Sequence, residues 1–211
     1  MRALALLLTV VAVPALADAL GDMRAANAAY ADRNFELAIA AYDSALTQPG
    51  LSDRNRTLAR YTRGLANGAL GRYAAAIADF SLLLAAEPSH AEALNSRGLA
   101  YAALGRHGEA IADFTGAIRV RNDHAYAYNN RGASRLALGR FAAALEDFYA
   151  ALQYSHGAPH LVHANRARLY ELRGQTVQAL RDWETAARLA PDYAPARAAL
   201  AEYRALNLAP E

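Results

Sequence analysis

A chain of 211 residues that is 55% hydrophobic and 20% charged is long enough and apolar enough to bury a sizeable core, which excludes a disordered tail or linker. Its 22 basic residues are all arginine, offset 20 acidic ones to a formal charge of +2 and form no long run, so no nucleic-acid-binding stripe is expected. Cysteine is absent, which rules out disulfides, thiol catalysis and Cys-ligated zinc.

The chain opens with Met1 and Arg2, then an apolar run from Ala3 to Val13, then Pro14 and the small residues Ala15 and Ala17 ahead of Asp18. A positive start, a short apolar stretch and small residues at the right offsets predict a cleaved signal peptide over residues 1–17 and a mature chain beginning at Asp18. The run is too short to cross about 30 Å of hydrocarbon comfortably, so no integral membrane segment is expected after cleavage, and the destination is periplasmic or secreted.

Beyond Asp18 the sequence repeats. Gly71-Arg72, Gly105-Arg106 and Gly139-Arg140 stand 34 residues apart, and so do Arg63-Gly64, Arg97-Gly98 and Arg131-Gly132. A third marker shares the register: Ile77-Ala78-Asp79-Phe80, Ile111-Ala112-Asp113-Phe114 and Leu145-Glu146-Asp147-Phe148, each preceded by alanine. A fixed period of this length signals a stack of supersecondary units, none of which can bury its apolar face alone. Glycine after the first helix of each unit supplies the left-handed residue that ends it, and Pro88 and Pro191 stop second helices.

This register resembles the tetratricopeptide repeat (TPR), whose pattern has a small residue at position 8, Tyr at 11, Ala at 20, an aromatic at 24, Ala at 27 and Pro at 32. Taken in chain order, a degenerate repeat at about 19–52 supplies Ala26, Ala38, Tyr42 and Ala45, and repeat 57–90 supplies Gly64, Ala76, Phe80 and Pro88. Repeat 91–124 supplies Gly98, Tyr101, Ala110, Phe114 and Ala117; repeat 125–158 supplies Gly132, Ala144, Phe148 and Ala151. Repeat 160–193 supplies Ala167, Tyr170, Ala179, Trp183, Ala186 and Pro191, and residues 194–206 read as a capping helix. The resemblance implies an all-α fold: a right-handed solenoid of antiparallel helix pairs with a C-terminal cap, over 18–211 as one domain.

Two positions depart from the family. Position 7, usually Leu, is Arg at 63, 97, 131 and 166, and position 23 is Asp at 79, 113, 147 and 182. The degenerate repeat lacks both, with Ala25 and Ala41, as expected of a mutually dependent pair, because a half-buried charge without its partner costs about 3–5 kcal/mol. Intra-repeat ion pairs are the favoured reading; a ladder of four arginines binding an anion is the alternative.

The resemblance also implies that first helices line a concave groove. Its candidate binding residues are Tyr61, Leu65, Asn95, Leu99, Tyr126, Asn129, Asn130, Asn165 and Arg168, where Asn amides suit a peptide backbone and Tyr offers amphipathic contact at small entropic cost. The carboxylate clamp of some cytosolic TPR domains does not fit, since its first basic and Asn pair would fall on Tyr61 and Leu65 or on Asn95 and Leu99. The expected function is therefore a non-enzymatic scaffold for a partner protein or extended peptide in the cell envelope, with no cofactor. No phosphate loop, nucleophile elbow or zinc-protease motif is present. The competing reading is a metal-binding or small-ligand protein using His156, His160 and His163. His90, His107 and His124 fall at turns, where a polar residue calls for no special role.

Overall fold

The computed structural model describes residues 18–154 and 158–206. Residues 1–17, where a signal peptide is expected, and His156 lie outside the described residues.

The described residues form eleven helices and no strand: α1 Ala19–Ala31, α2 Phe35–Thr47, α3 Asp53–Ala69, α4 Tyr73–Ala86, α5 Ala91–Ala103, α6 His107–Val120, α7 Ala125–Ala137, α8 Phe141–Gln153, α9 Pro159–Leu172, α10 Thr176–Leu189 and α11 Ala194–Ala205. Each odd-numbered helix from α1 to α9 packs most extensively against the helix that follows it, giving five antiparallel pairs, and α11 closes the end against α10. The first helices of neighbouring pairs also touch one another, α1 with α3, α3 with α5, α5 with α7 and α7 with α9. The stack therefore carries its first helices on the inner side.

The turns follow from backbone chemistry. Gly71, Gly105, Gly139 and Gly174 have φ of 72, 72, 69 and 68°, the left-handed region that terminates the first helix of each pair. The first pair has Arg33 at this place, with φ 60°. Starts are capped by Asp18, Asn34 and Ser52, whose side chains accept from the amides of Leu20, Leu37 and Asn55, and by His90, whose Nδ1 accepts from the amide of Ala93.

Packing within a pair is set by one small residue facing one ring. A Cβ on Gly64, Gly98 or Gly132 would stand only 2.7, 2.6 or 2.7 Å from the ring of Phe80, Phe114 or Phe148. Those rings are buried, each burial contributing roughly 1.5–3 kcal/mol, and bare glycine is what lets the two helices approach that closely. The end pairs solve the same problem with alanine: Ala26 and Ala167 are fully buried at the same register, in the pairs whose rings are Tyr42 and Trp183. Among the described residues no helix is long and apolar enough to cross a membrane.

Candidate functional site

The repeated Arg and Asp form forked ion pairs between the two helices of a pair. Arg97 Nε and Nη2 donate to Asp113 Oδ2 and Oδ1, both at 2.8 Å. Arg166 Nε and Nη2 reach Asp182 at 2.7 and 2.8 Å, Arg131 Nη2 reaches Asp147 at 2.7 Å, and Arg63 Nε reaches Asp79 at 3.0 Å. All four carboxylates are buried. This geometry commits the arginines to the frame, against an anion ladder.

Each arginine also reaches backward, a feature the sequence reading missed. The Nη1 of Arg97 donates to Ser81 Oγ and that of Arg131 to Thr115 Oγ1, both at 3.1 Å, while Arg63 Nη1 binds Asp43. The Arg166 guanidinium instead lies 5.0 Å from the ring centre of Tyr149. Asp43, Ser81, Thr115 and Tyr149 share position 25 of the preceding repeat, so one arginine ties both its own helix pair and the neighbouring one. Where position 11 is not Tyr, its occupant joins the network: Asn67 Nδ2 donates to Asp79 at 3.3 Å and Arg135 Nη1 to Asp147 at 2.8 Å.

The electrostatics agree with the geometry. Hydrogen bonds to Asp113 and Asp182 hold Arg97 and Arg166 above the ordinary arginine range; burial pulls Arg63 down, and Asp79 and Asp43 overcome it. Burial works against the charge on Asp182, but hydrogen bonds from Arg166 and His163 outweigh it and hold this carboxyl below its usual pKa.

With the arginines engaged, the inner row of α3, α5, α7 and α9 carries the residues singled out from the sequence. Tyr61 is half-buried and stacks on His90 at 5.2 Å, and Leu65 packs against the cluster around Phe80. Leu99 and Tyr126 are exposed by 47% and 52%, and Arg168 is exposed. The four asparagines form two pairs across neighbouring first helices: Asn130 Nδ2 donates to Asn95 Oδ1 at 3.1 Å, and Asn165 Nδ2 to Asn129 Oδ1 at 3.0 Å. Asn129 is 8% exposed. The amides that sequence reasoning left free for a ligand are thus partly engaged with each other, each pairing using one donor and one acceptor of the carboxamides.

At the edge of this row, where α7 meets α9, a pocket of about 400 Å³ takes in Tyr126 and Asn129 together with Arg121, His124, Tyr154 and Leu161. His124 is 5% exposed, and neither ring nitrogen makes a well-formed hydrogen bond among the described residues. Burial, and Arg121 after it, push its pKa down. A histidine at a turn register gave no sign of this.

The histidine cluster does not assemble. His163 Nδ1 lies 2.7 Å from Asp182 Oδ1, inside the ion-pair frame, and the His160 ring meets Tyr193 edge-on at 5.3 Å. Among the described residues no three His, Asp or Glu side chains are grouped to hold a metal ion. The expectation of a metal or small-ligand site on His156, His160 and His163 has no support here, because two of these side chains already have structural partners and the third lies outside the described residues.

These features define a TPR-type helical solenoid, and comparison with known proteins agrees. A tetratricopeptide-repeat family model matches residues 61–123 and again 108–160. Among curated proteins no sequence matches the chain. Several solved structures share the fold. A thermophilic TPR protein of Thermus thermophilus is 22% identical, with 87% of this chain and 97% of that one covered at a TM-score of 0.69. YrrB, described as a TPR protein with an unusual peptide-binding site, is 22% identical over 86% of this chain and 91% of its own, at 0.66. The first TPR domain of Spaghetti (RPAP3), solved bound to the HSP90 peptide SRMEEVD, is 23% identical over 58% of this chain and 96% of its own, at 0.53. Proteins of this fold generally mediate protein or peptide interactions, and the family is generally non-enzymatic.

Proposed function

We propose that this protein is a non-enzymatic receptor for an extended peptide or peptide-like segment of a partner protein, held along the inner row of α3, α5, α7 and α9. The observation that carries the reading is the contrast between two faces of the same helices. The arginines at position 7 of the first helices are consumed by the frame, whereas Leu99 and Tyr126 stand about half exposed in the row that the asparagine pairs organise. Exposed apolar and amphipathic side chains beside carboxamides with unused donors and acceptors suit a peptide main chain and its apolar side chains. Two solved structures of this fold are described by their peptide sites, which supports the same use here. Delivery to the cell envelope is part of the proposal and rests on the signal-like residues 1–17.

The test is selection from a displayed random-peptide library on the purified protein, repeated with an Asn129→Ala/Asn130→Ala variant. Enrichment of related peptides by the wild type, with binding lost in the variant, is the expected result. No enrichment, or enrichment indifferent to the two substitutions, would remove the groove from consideration. Envelope delivery is tested separately by the N-terminal mass of the protein from fractionated cells, expected to begin at Asp18.

A further inference from the structure

Two glycines one turn apart on α3 have different surroundings. Gly64 is bare because the Phe80 ring packs on it, 2.7 Å from where a Cβ would stand, whereas a Cβ on Gly68 would meet nothing within 4 Å. Glycine inside a helix weakens it relative to alanine. Close packing therefore accounts for Gly64 and does not account for Gly68. The space beside Gly68 is a pocket of about 340 Å³ between α3 and α5, with Leu65, Tyr73, Phe80, Leu99 and Ala103 among its walls. It is open to solvent: Leu99 and Ala103 are exposed, and Leu65, Gly68 and Tyr73 are half-buried. Leu65 and Leu99 make it continuous with the inner row.

The other repeats show what this place accepts. Position 12, which is Gly68 on α3, is Tyr30 on α1 and Leu136 on α7. The Tyr30 ring meets that of Phe35, at position 17, with centres 5.5 Å apart, and Leu136 lies in the same cluster as Phe141, also at position 17. On α5 the place holds the methyl of Ala102, and on α9 Glu171 is tied to Trp183 Nε1 at 2.6 Å and to the Tyr203 hydroxyl of α11 at 3.2 Å. In the α3 and α4 pair the ring at position 17, Tyr73, is present, and the side chain at position 12 that would cover it is missing. No charged residue lines the pocket, and its polar side chains are Tyr73 and Ser96 alone. A carboxylate or an ammonium would lose hydration there without meeting a counter-charge, whereas an apolar side chain gains by leaving water.

We propose that this pocket takes one bulky apolar side chain of the bound peptide, leucine or phenylalanine, seated over Gly68 between Leu65, Tyr73 and Leu99 as Tyr30 and Leu136 are seated in their own pairs. The inference rests on the peptide-receptor reading and adds to it an anchor residue and its place, at the α3 end of the inner row, beside the asparagine pairs that link α5 to α7 and α7 to α9.

The experiment takes peptides from the library selection, resynthesises them with alanine at the shared apolar position, and measures the affinity of both forms for the purified wild type and for Gly68→Leu, which gives α3 the side chain that α7 carries at Leu136. One bulky apolar residue is expected at a fixed position of the selected peptides. Its replacement by alanine is expected to weaken binding to the wild type roughly tenfold, and Gly68→Leu is expected to bind both forms equally, as weakly as the wild type binds the alanine form. No shared bulky apolar residue, a charged residue at the shared position, equal affinities on the wild type, or discrimination that survives in Gly68→Leu would each overturn the proposal. Leucine is a better helix former than glycine and has room here, so the variant is expected to melt no lower than the wild type. Should it fail to fold, Leu99→Ser removes an exposed wall and is expected to weaken the apolar form of the peptide toward the affinity of the alanine form; unchanged discrimination would again count against the pocket. Peptides that depend on Asn129 and Asn130 but share no apolar anchor would refute the pocket alone, whereas absence of any groove-dependent peptide would refute the receptor reading as well.

Discussion

Replacing Arg97 by Met should be far more damaging than replacing Arg97 and Asp113 together by Met and Leu. In the wild type the guanidinium donates twice to a carboxylate whose side chain is 9% exposed, while its third contact, Ser81 Oγ at 3.1 Å, belongs to the preceding repeat. Removing the arginine alone strands Asp113 as a buried charge, at a cost of about 3–5 kcal/mol. The double apolar variant loses the same attraction but also the desolvation penalty of both ions, so it should fall within about 1–2 kcal/mol of wild type. The double variant should then be about 2–3 kcal/mol more stable than Arg97→Met, and the coupling in the mutant cycle should exceed that difference by the cost of Asp113→Leu alone. Chemical denaturation followed by circular dichroism measures the four proteins. Hydrogen exchange is read alongside, because a weakened internal repeat can let the ends of a solenoid unfold separately. A double variant no better tolerated than Arg97→Met would show that the pairing is not what makes these two residues depend on each other.

Three further outcomes follow from the frame. Gly98→Ala puts a Cβ 2.6 Å from the fully buried Phe114 ring, and a shift of α5 from α6 should cost about 1–3 kcal/mol in denaturation. Arg33→Gly relieves a side chain held at φ 60° and should raise stability by roughly 0.5–1 kcal/mol; a lower melting temperature would mean that the Arg33 guanidinium, 6.0 Å from the Phe35 ring centre, matters more than the backbone. The folded pKa of Asp182 is depressed, so its contribution is present above the unfolded value near 3.8 and is lost as pH falls through the lower folded value. Asp182→Asn should therefore be less stable than wild type at pH 7, and the difference should narrow as both proteins are melted in progressively more acid buffer below about pH 4.

The fold was legible because the repeat writes each packing constraint several times. Gly64, Gly98 and Gly132 facing Phe80, Phe114 and Phe148 are spaced identically in sequence and in space, so a single register predicted the helix pairs, their turns and the ion pairs. Contacts between repeats were less legible. Position 25 is Asp, Ser, Thr and Tyr in successive repeats, four side chains with no common chemistry except that each attracts a guanidinium, so pattern alone did not mark it. The groove was legible only in part. Its residues could be placed on the inner face by register, but that Asn130 would turn to Asn95 and Asn165 to Asn129 depends on the approach of adjacent first helices, which sequence spacing does not encode. His124 was hidden for the same reason. Its identity with His90 at the same register suggested the same role, and only the packing between α7 and α9 separates them.

The division of labour within the first helices bears on how such a protein could keep a stable stack while the face proposed to bind a ligand varies. Arg97 and Asn95 are two residues apart on α5 and serve different neighbours: Arg97 reaches α6 and, through Ser81, α4, while Asn95 reaches Asn130 on α7. The same holds on α9, where Arg166 binds Asp182 on α10 and lies over Tyr149 on α8, while Asn165 meets Asn129 on α7. Charges that hold repeats together are thus directed toward the second helices, where burial makes their partners obligatory. Beside Arg168, the inner row carries uncharged amides, Leu99 and Tyr126, and under the proposed function its asparagines exchange one another's hydrogen bonds for a ligand's without stranding a buried ion. Substitutions on the inner row should accordingly change binding with small effects on folding, and substitutions at positions 7 and 23 should do the reverse.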